Sequence, residues 1–414
     1  MKLTSKSLNR GALARIPETL QAALDTGELS GFVTLVWHKG EIVQVDAIGQ
    51  RDIEAGLPMQ RDTIFAIASM TKPVTTVAAL QLIEEGKLKL ESPIREWLPE
   101  FSNPRVLKDA AGPIDDTEPV VRDITVEDLM THRSGLAYDF SSKGPIAKAI
   151  REKLGGAISP AKPPEAWLAD LASLPLSYQP GERMHYSLST DVLGLLVGRV
   201  DGKSFRESLK DRVLDPLNMS DTDFWVPPEK RDRAANIYQF NVAAGKLLRA
   251  EWAVQRASVL PSMCSGGGGL YSTVDDYIQF AHMLVDQGEV NGVRLLSEDT
   301  VQLMRTNRLT PEQRQMPFLG MPFWTATGFG LGVSVVMDPE KLVGAGSKGS
   351  FGWPGAFGTW WQADPQEQLI VIYMIQNDRD LSPEAIAALS TAQPTAATMA
   401  LPTFQKGVYA ALED

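Results

Sequence analysis

Most of the residues that metal and redox chemistry rely on are scarce here. The chain has one cysteine, Cys264, and four histidines, His38, His132, His185 and His282, among 414 residues. A single thiol excludes an internal disulfide framework. The histidines show no H-E-x-x-H or comparable ligand spacing, so no metal and no cofactor are expected. The G-x-S-x-G signature of a Ser-His-Asp hydrolase is missing, and His185 beside Tyr186 reads as structural. No apolar run approaches a membrane span, and the first thirty residues carry no apolar leader core. The net charge of −11 comes without a basic run, which argues against nucleic acid and anionic membrane as partners. A soluble, cytoplasmic protein is expected.

What is present suits a globular chain. Hydrophobic content of 43% against 22% charged residues provides for a substantial core, and the length fits one large domain or two lobes. Residues 31–38 read as a strand, Lys39-Gly40 as a turn and residues 41–47 as the hairpin partner. An amphipathic helix near 13–24 precedes them. From Thr71 to about Leu284 the periodicity is mostly helical, broken by polar or Pro/Gly-rich stretches at 104–123, 140–164 and 226–236. Strand character returns at 330–337, 358–363 and 368–375, and a last helical stretch lies near 404–412. These elements predict an α+β protein in which residues 1–70 and 270–414 form an α/β lobe with an antiparallel sheet. Residues 71–269 form a mainly helical lobe, with the active site in the cleft between them.

The glycine cluster 266–269 invites a phosphate-loop reading, but no strand, G-x-G-x-x-G and downstream acid accompany it. Gly202-Lys203-Ser204 has Val197 where a Walker glycine belongs. The cluster reads instead as a tight turn into a helix capped by Ser272 or Thr273, with Asp275 and Asp276 in its first turn.

The candidate chemistry begins at Ser69-x-x-Lys72. Residues i and i+3 share a helix face, so the hydroxyl and the amine can meet. A second copy, Ser159-x-x-Lys162, is crowded by Pro160, Pro163 and Pro164, which favour a loop. Ser69 instead follows the apolar run 64–68 and precedes a helical run in which Pro73 fits the first turn and Gly86 the stop. It therefore sits at a buried helix N-terminus, where free N–H groups favour a developing anion. On these four residues alone, a capping serine followed by a surface lysine fits equally well.

Lysine and tyrosine, with ordinary pKa values of about 10.4 and about 10, are poor bases at neutral pH unless each lowers the other. A tyrosine partner is therefore sought. Tyr186, between the turn 179–185 and the apolar run 192–197, is a candidate, although a tyrosine taken alone is more often a core aromatic.

Together the motifs resemble those of the serine β-lactamase and penicillin-binding-protein superfamily, and within it the family VIII carboxylesterases related to class C β-lactamases. Ser69-x-x-Lys72, Tyr186-Ser187-Leu188 and Trp353-Pro354-Gly355 occur in that order. Stretches 129–136 and 268–273 are similar to ones common there, and the resemblance spans residues 15–410. It implies a β-lactamase-like fold and attack by Ser69 on an acyl carbonyl. Lys72 and Tyr186 would move the proton, and the backbone N–H groups of Ser69 and Ala356 would hold the oxyanion.

Departures from the family pattern bear on substrate. Trp353 and Pro354 replace a Lys or His followed by Thr or Ser, and Leu188 replaces an amide-binding asparagine. Leu188, Trp353 and Gly355 are therefore expected to line an apolar pocket suited to small, uncharged, short-chain esters, with weak β-lactam turnover. Loops 104–123, 140–164 and 306–326 are expected to shape it. The alternatives are a β-lactamase or D-alanyl-D-alanine peptidase, an acyltransferase to an alcohol, or a non-catalytic assembly or sensor module.

Overall fold

Residues 31–38 alternate their side chains across a sheet, and both of its faces are covered, so the whole strand is buried. In the computed structural model, which describes residues 6–155, 160–378 and 393–413, this strand is central to an eight-stranded sheet. The strands are β1 Gly31–His38, β2 Glu41–Asp52, β3 Leu57–Pro58, β4 Thr327–Phe329, β5 Ser334–Val336, β6 Phe351–Pro354, β7 Trp360–Asp364 and β8 Leu369–Ile375. Their order is β4-β5-β6-β7-β8-β1-β2-β3, and every neighbouring pair is antiparallel. An antiparallel sheet flanked by helices is the architecture that the family resemblance implies. Lys39 and Gly40, at φ 49° and 91°, make the expected β1–β2 turn with both residues in the left-handed region.

One face of the sheet carries Phe32, Val36, Val371 and Tyr373 against helices α1 Ile16–Leu24 and, at the chain's end, Ala396–Ala410. The opposite face carries Val33, Leu35, Ile370 and Ile372 into a core that continues through α2 Thr71–Glu84 and α3 Ser189–Asp201 to α4 Val274–Val285. Sheet and helical region thus share one apolar core. The terminal helix, α5, starts eight residues before the expected 404 because Pro402 lies inside it and breaks the sequence pattern. The expected strand 330–337 is shorter than read. Residues 330–333 are the β4–β5 connection, with Gly332 at φ 74°, and only Ser334–Val336 is strand.

Helix α2 is buried from Thr71 to Leu82, the mark of a helix at the centre of a protein. The glycine cluster lies against it. Thr75 Oγ1 donates to the Gly266 carbonyl at 2.8 Å, and Leu270 N donates to Thr71 Oγ1 at 3.1 Å. A Cβ on Gly266 would stand 2.5 Å from the Thr190 carbonyl, and one on Gly267 would stand 2.4 Å from Asp191 Oδ2. Gly266 and Gly267 are therefore held to glycine by α3, with Thr75 of α2 only 3.2 Å from the same Gly266 Cβ position. Thr273, not Ser272, caps α4 by accepting from Asp276 N at 3.1 Å. Ser159 of the second S-x-x-K copy lies outside the described residues. Gly266→Ala should cost about 1–3 kcal/mol through overpacking, read as a lower urea midpoint at unchanged slope.

Candidate active site

From Thr63 to Leu82 every residue is buried except Ser69, which is partly exposed. The chain reaches it through Ala68, whose φ of 44° turns the short strand Phe65–Ala66 sharply into α2. A non-glycine residue in this region costs about 1–2 kcal/mol, strain held by the packing around it. One helical turn on, the Lys72 amine is fully buried. It donates to Ser69 Oγ at 3.1 Å, to the Gly267 carbonyl at 2.6 Å and to Tyr138 Oη at 3.2 Å. Tyr186 Oη donates to Ser69 Oγ at 2.7 Å. The expected serine, lysine and tyrosine therefore meet at one oxygen, and Lys72 Nζ lies 4.6 Å from the Tyr186 ring centroid.

A family model described as Beta-lactamase matches residues 16–394. The chain belongs to the beta-lactamase family. Over 399 residues it is 49% identical to Protein Rv1367c of Mycobacterium tuberculosis, covering 95% of this chain and 98% of that one. It is 31% identical over 390 residues to Esterase EstB of Burkholderia gladioli, covering 90% and 92%. Among solved structures, "EstCE1, a hydrolase with promiscuous acyltransferase activity" superposes with a TM-score of 0.80 at 26% identity, covering 97% of this chain and 99% of that one. The protein is a serine carboxylesterase on the esterase branch of the beta-lactamase family.

Within this beta-lactamase-family site, Trp353 contributes more than an apolar wall. It is buried on β6, and its Nε1–H donates to Tyr186 Oη at 3.2 Å. Tyr186 Oη thus meets an indole donor on one side and Ser69 on the other. The ring of Tyr186 packs 4.8 Å from the buried His132 ring, and His132 Nδ1 accepts from Ser187 N at 3.3 Å. Burial and the Lys72 charge hold His132 well below the usual imidazole range, and burial brings His185 down to about 4. Both imidazoles are neutral at physiological pH, and neither hydrogen-bonds Ser69. Leu188 departs from expectation: it precedes α3 and packs in the core, away from the cavity lining.

Two site residues carry no local sequence signal. Tyr138 Oη lies 3.4 Å from Asp191 Oδ2, and Asp191 also accepts from Gly267 N at 3.1 Å and from Ser265 Oγ. Burial pushes the Asp191 carboxyl up while Lys72 draws it back down. Burial first, and then Asp191, hold the Tyr138 phenol well above its ordinary value. Tyr138 therefore stays protonated. Of the two tyrosines beside Lys72, only Tyr186 touches the serine.

Ser69 opens into a cavity of about 1030 Å³, the upper end of the usual small-molecule range. Trp353 and Gly355, expected in the pocket, line it, and so does Ala356, expected at the oxyanion. Of the three expected loops, 306–326 supplies Phe318 and Phe323, 140–164 supplies only Phe140 among its described residues, and 104–123 supplies nothing. Sequence reasoning missed Trp252 and Arg256 on the helix Glu251–Ala257, and Leu401 and Pro402 on α5. Trp353 and Pro354 bring no charge, but Arg256 does.

Removing the indole donor by Trp353→Phe should lower kcat about tenfold, the worth of one hydrogen bond. In a Tyr186→Phe background the same change should cost little further kcat, because the oxygen it serves is gone. Equal losses in both backgrounds would separate Trp353 from Tyr186.

Proposed function

We propose that the protein cleaves carboxylic esters through an acyl-enzyme on Ser69, with Lys72 and Tyr186 as the proton-transfer pair. The observation that carries this reading is the double contact on one oxygen, with Lys72 Nζ at 3.1 Å and Tyr186 Oη at 2.7 Å from Ser69 Oγ. A nucleophile within hydrogen-bond reach of its proton acceptor, which is itself held by a third group, is the arrangement covalent catalysis needs. Here the third group is Trp353 Nε1 for Tyr186 and the Gly267 carbonyl for Lys72.

In the forward half-reaction, which starts with the Lys72/Tyr186 pair one proton short of ammonium plus phenol, Ser69 Oγ bonds to the ester carbonyl carbon as its own proton fills that place. The C–O bond to the alcohol then breaks, and the alcohol leaves with that proton. The oxyanion formed between these events is assigned to the backbone N–H groups of Ser69 and Ala356, two residues far apart in the chain that line the same cavity. Water repeats the steps in reverse and releases the acid.

A second reading has specific support. The structural relative EstCE1 is described as a hydrolase with promiscuous acyltransferase activity, and an apolar cavity of about 1030 Å³ leaves room for an alcohol beside the acyl group. Transfer and hydrolysis differ only in which nucleophile takes the acyl group from Ser69. β-Lactam turnover is expected to be weak, because the third motif lacks the cation and hydroxyl that would meet a lactam carboxylate.

The test is hydrolysis of p-nitrophenyl esters from acetate to palmitate beside a chromogenic cephalosporin. Short esters should turn over fastest and the cephalosporin slowly. Ser69→Ala should lose activity by about a thousandfold or more, and Tyr186→Phe by about a hundredfold or more, with circular dichroism unchanged in both. A Ser69→Ala protein that keeps its rate would sink the reading.

A further inference from the structure

Several partly buried arginines of the helical region are neutralised by acids. Arg122 pairs with Asp128, Arg206 with Asp223, Arg212 with Asp201 and Arg233 with Asp221. Arg256 is different. Among the described residues it has no ion pair. Its Nη1 is buried without a hydrogen-bond partner, and its Nη2 makes only long contacts to the Gly268 and Gly269 carbonyls, at 3.3 and 3.5 Å. The guanidinium carbon lies 5.2 Å from the Tyr271 ring centroid, a stack that orients the group without neutralising it. Burial weakens its hold on the proton, with only the Tyr271 phenol acting in the other direction.

This unpaired cation faces the reaction space. Arg256 lines the cavity that holds Ser69, four residues from Trp252 and so on the same helix face. The glycine cluster that receives its Nη2 also supplies the Gly267 carbonyl to Lys72. Two acids line the cavity, Asp139, which Arg151 occupies at 3.1 Å, and Asp378, and neither pairs with Arg256. Leaving a cation partly desolvated without a counter-ion is costly, and a bound anion offsets that cost.

We propose that Arg256 receives a carboxylate carried by the substrate, so that the preferred esters are half-esters of dicarboxylic acids or esters of hydroxy acids. One planar guanidinium in an apolar cavity matches one carboxylate in charge and in fork geometry. A phosphate, with nearly two charges, would call for a second cation that the described cavity lining does not hold. This inference rests on the ester-cleaving reading, but binding tests it separately.

Isothermal titration of the Ser69→Ala protein compares p-nitrophenyl hydrogen glutarate with p-nitrophenyl butyrate, which places the carboxylate on the acyl side. A second pair, p-acetoxybenzoate and p-acetoxybenzamide, places it on the alcohol side. The expected result is tighter binding of the anionic member of at least one pair, with that preference falling about tenfold or more in Ser69→Ala/Arg256→Gln and partly kept with Arg256→Lys. The pair that responds identifies the end of the substrate Arg256 meets. If neither pair favours the anion, or the preference survives Arg256→Gln, the inference is overturned. Should the Arg256→Gln protein fail to fold, the Ser69→Ala preference and its decline with added salt decide alone. Arg256-dependent preference in a protein whose parent hydrolyses no ester would leave this inference standing and remove the esterase mechanism instead.

Discussion

Burial of the Lys72 amine is the constraint from which the geometry of the site follows. An amine removed from water must have its donors met by acceptors, or the cost of desolvation falls on the fold. Here the acceptors are the Gly267 carbonyl, Ser69 Oγ and Tyr138 Oη. For the carbonyl to reach the amine, the glycine cluster must press against α3 more closely than a Cβ allows. For Tyr138 to stay a neutral phenol in this place, the buried Asp191 stands behind it. The remaining donor direction of the amine falls on Ser69, the one break in a buried run of twenty residues from Thr63 to Leu82.

The sheet and the helices contribute opposite walls to this centre. Strand β6 brings Trp353 to Tyr186 from the sheet side, while the turn before α3 delivers Tyr186 from the helical side. His132 takes part by shape and not by titration: it is neutral, and its ring fills the space behind Tyr186. Ser69 Oγ thus lies where the two regions meet, and the shared core beneath holds them in register.

Legibility in the sequence follows the range of the interactions. Strands β1, β2 and β8 are readable because alternation and a two-residue turn are local properties. Ser69, Lys72 and Tyr186 are readable because the chemistry restricts residue type and the motifs keep a fixed order. Residues 330–333 read as strand because they are apolar, yet Gly332 turns there. Pro402 hides the first half of α5. Leu188 reads as a pocket residue from its place in a motif, whereas in the fold it packs into the core just before α3 begins. Tyr138 and Gly267 lie 66 and 195 residues from Lys72, and nothing near either one in the chain announces the contact. The indole bond from Trp353 to Tyr186 is hidden for the same reason, being a contact across 167 residues.

Ser69 Oγ is the atom assigned to carry the acyl group, and every other role in the site depends on it. Its most direct test is intact-protein and peptide mass spectrometry after acid quench during turnover of p-nitrophenyl butyrate. The predicted result is a butyryl mass increment confined to the peptide containing Ser69 and absent from Ser69→Ala. An increment on any other residue, or turnover of the ester by the Ser69→Ala protein at the parent rate, would contradict it.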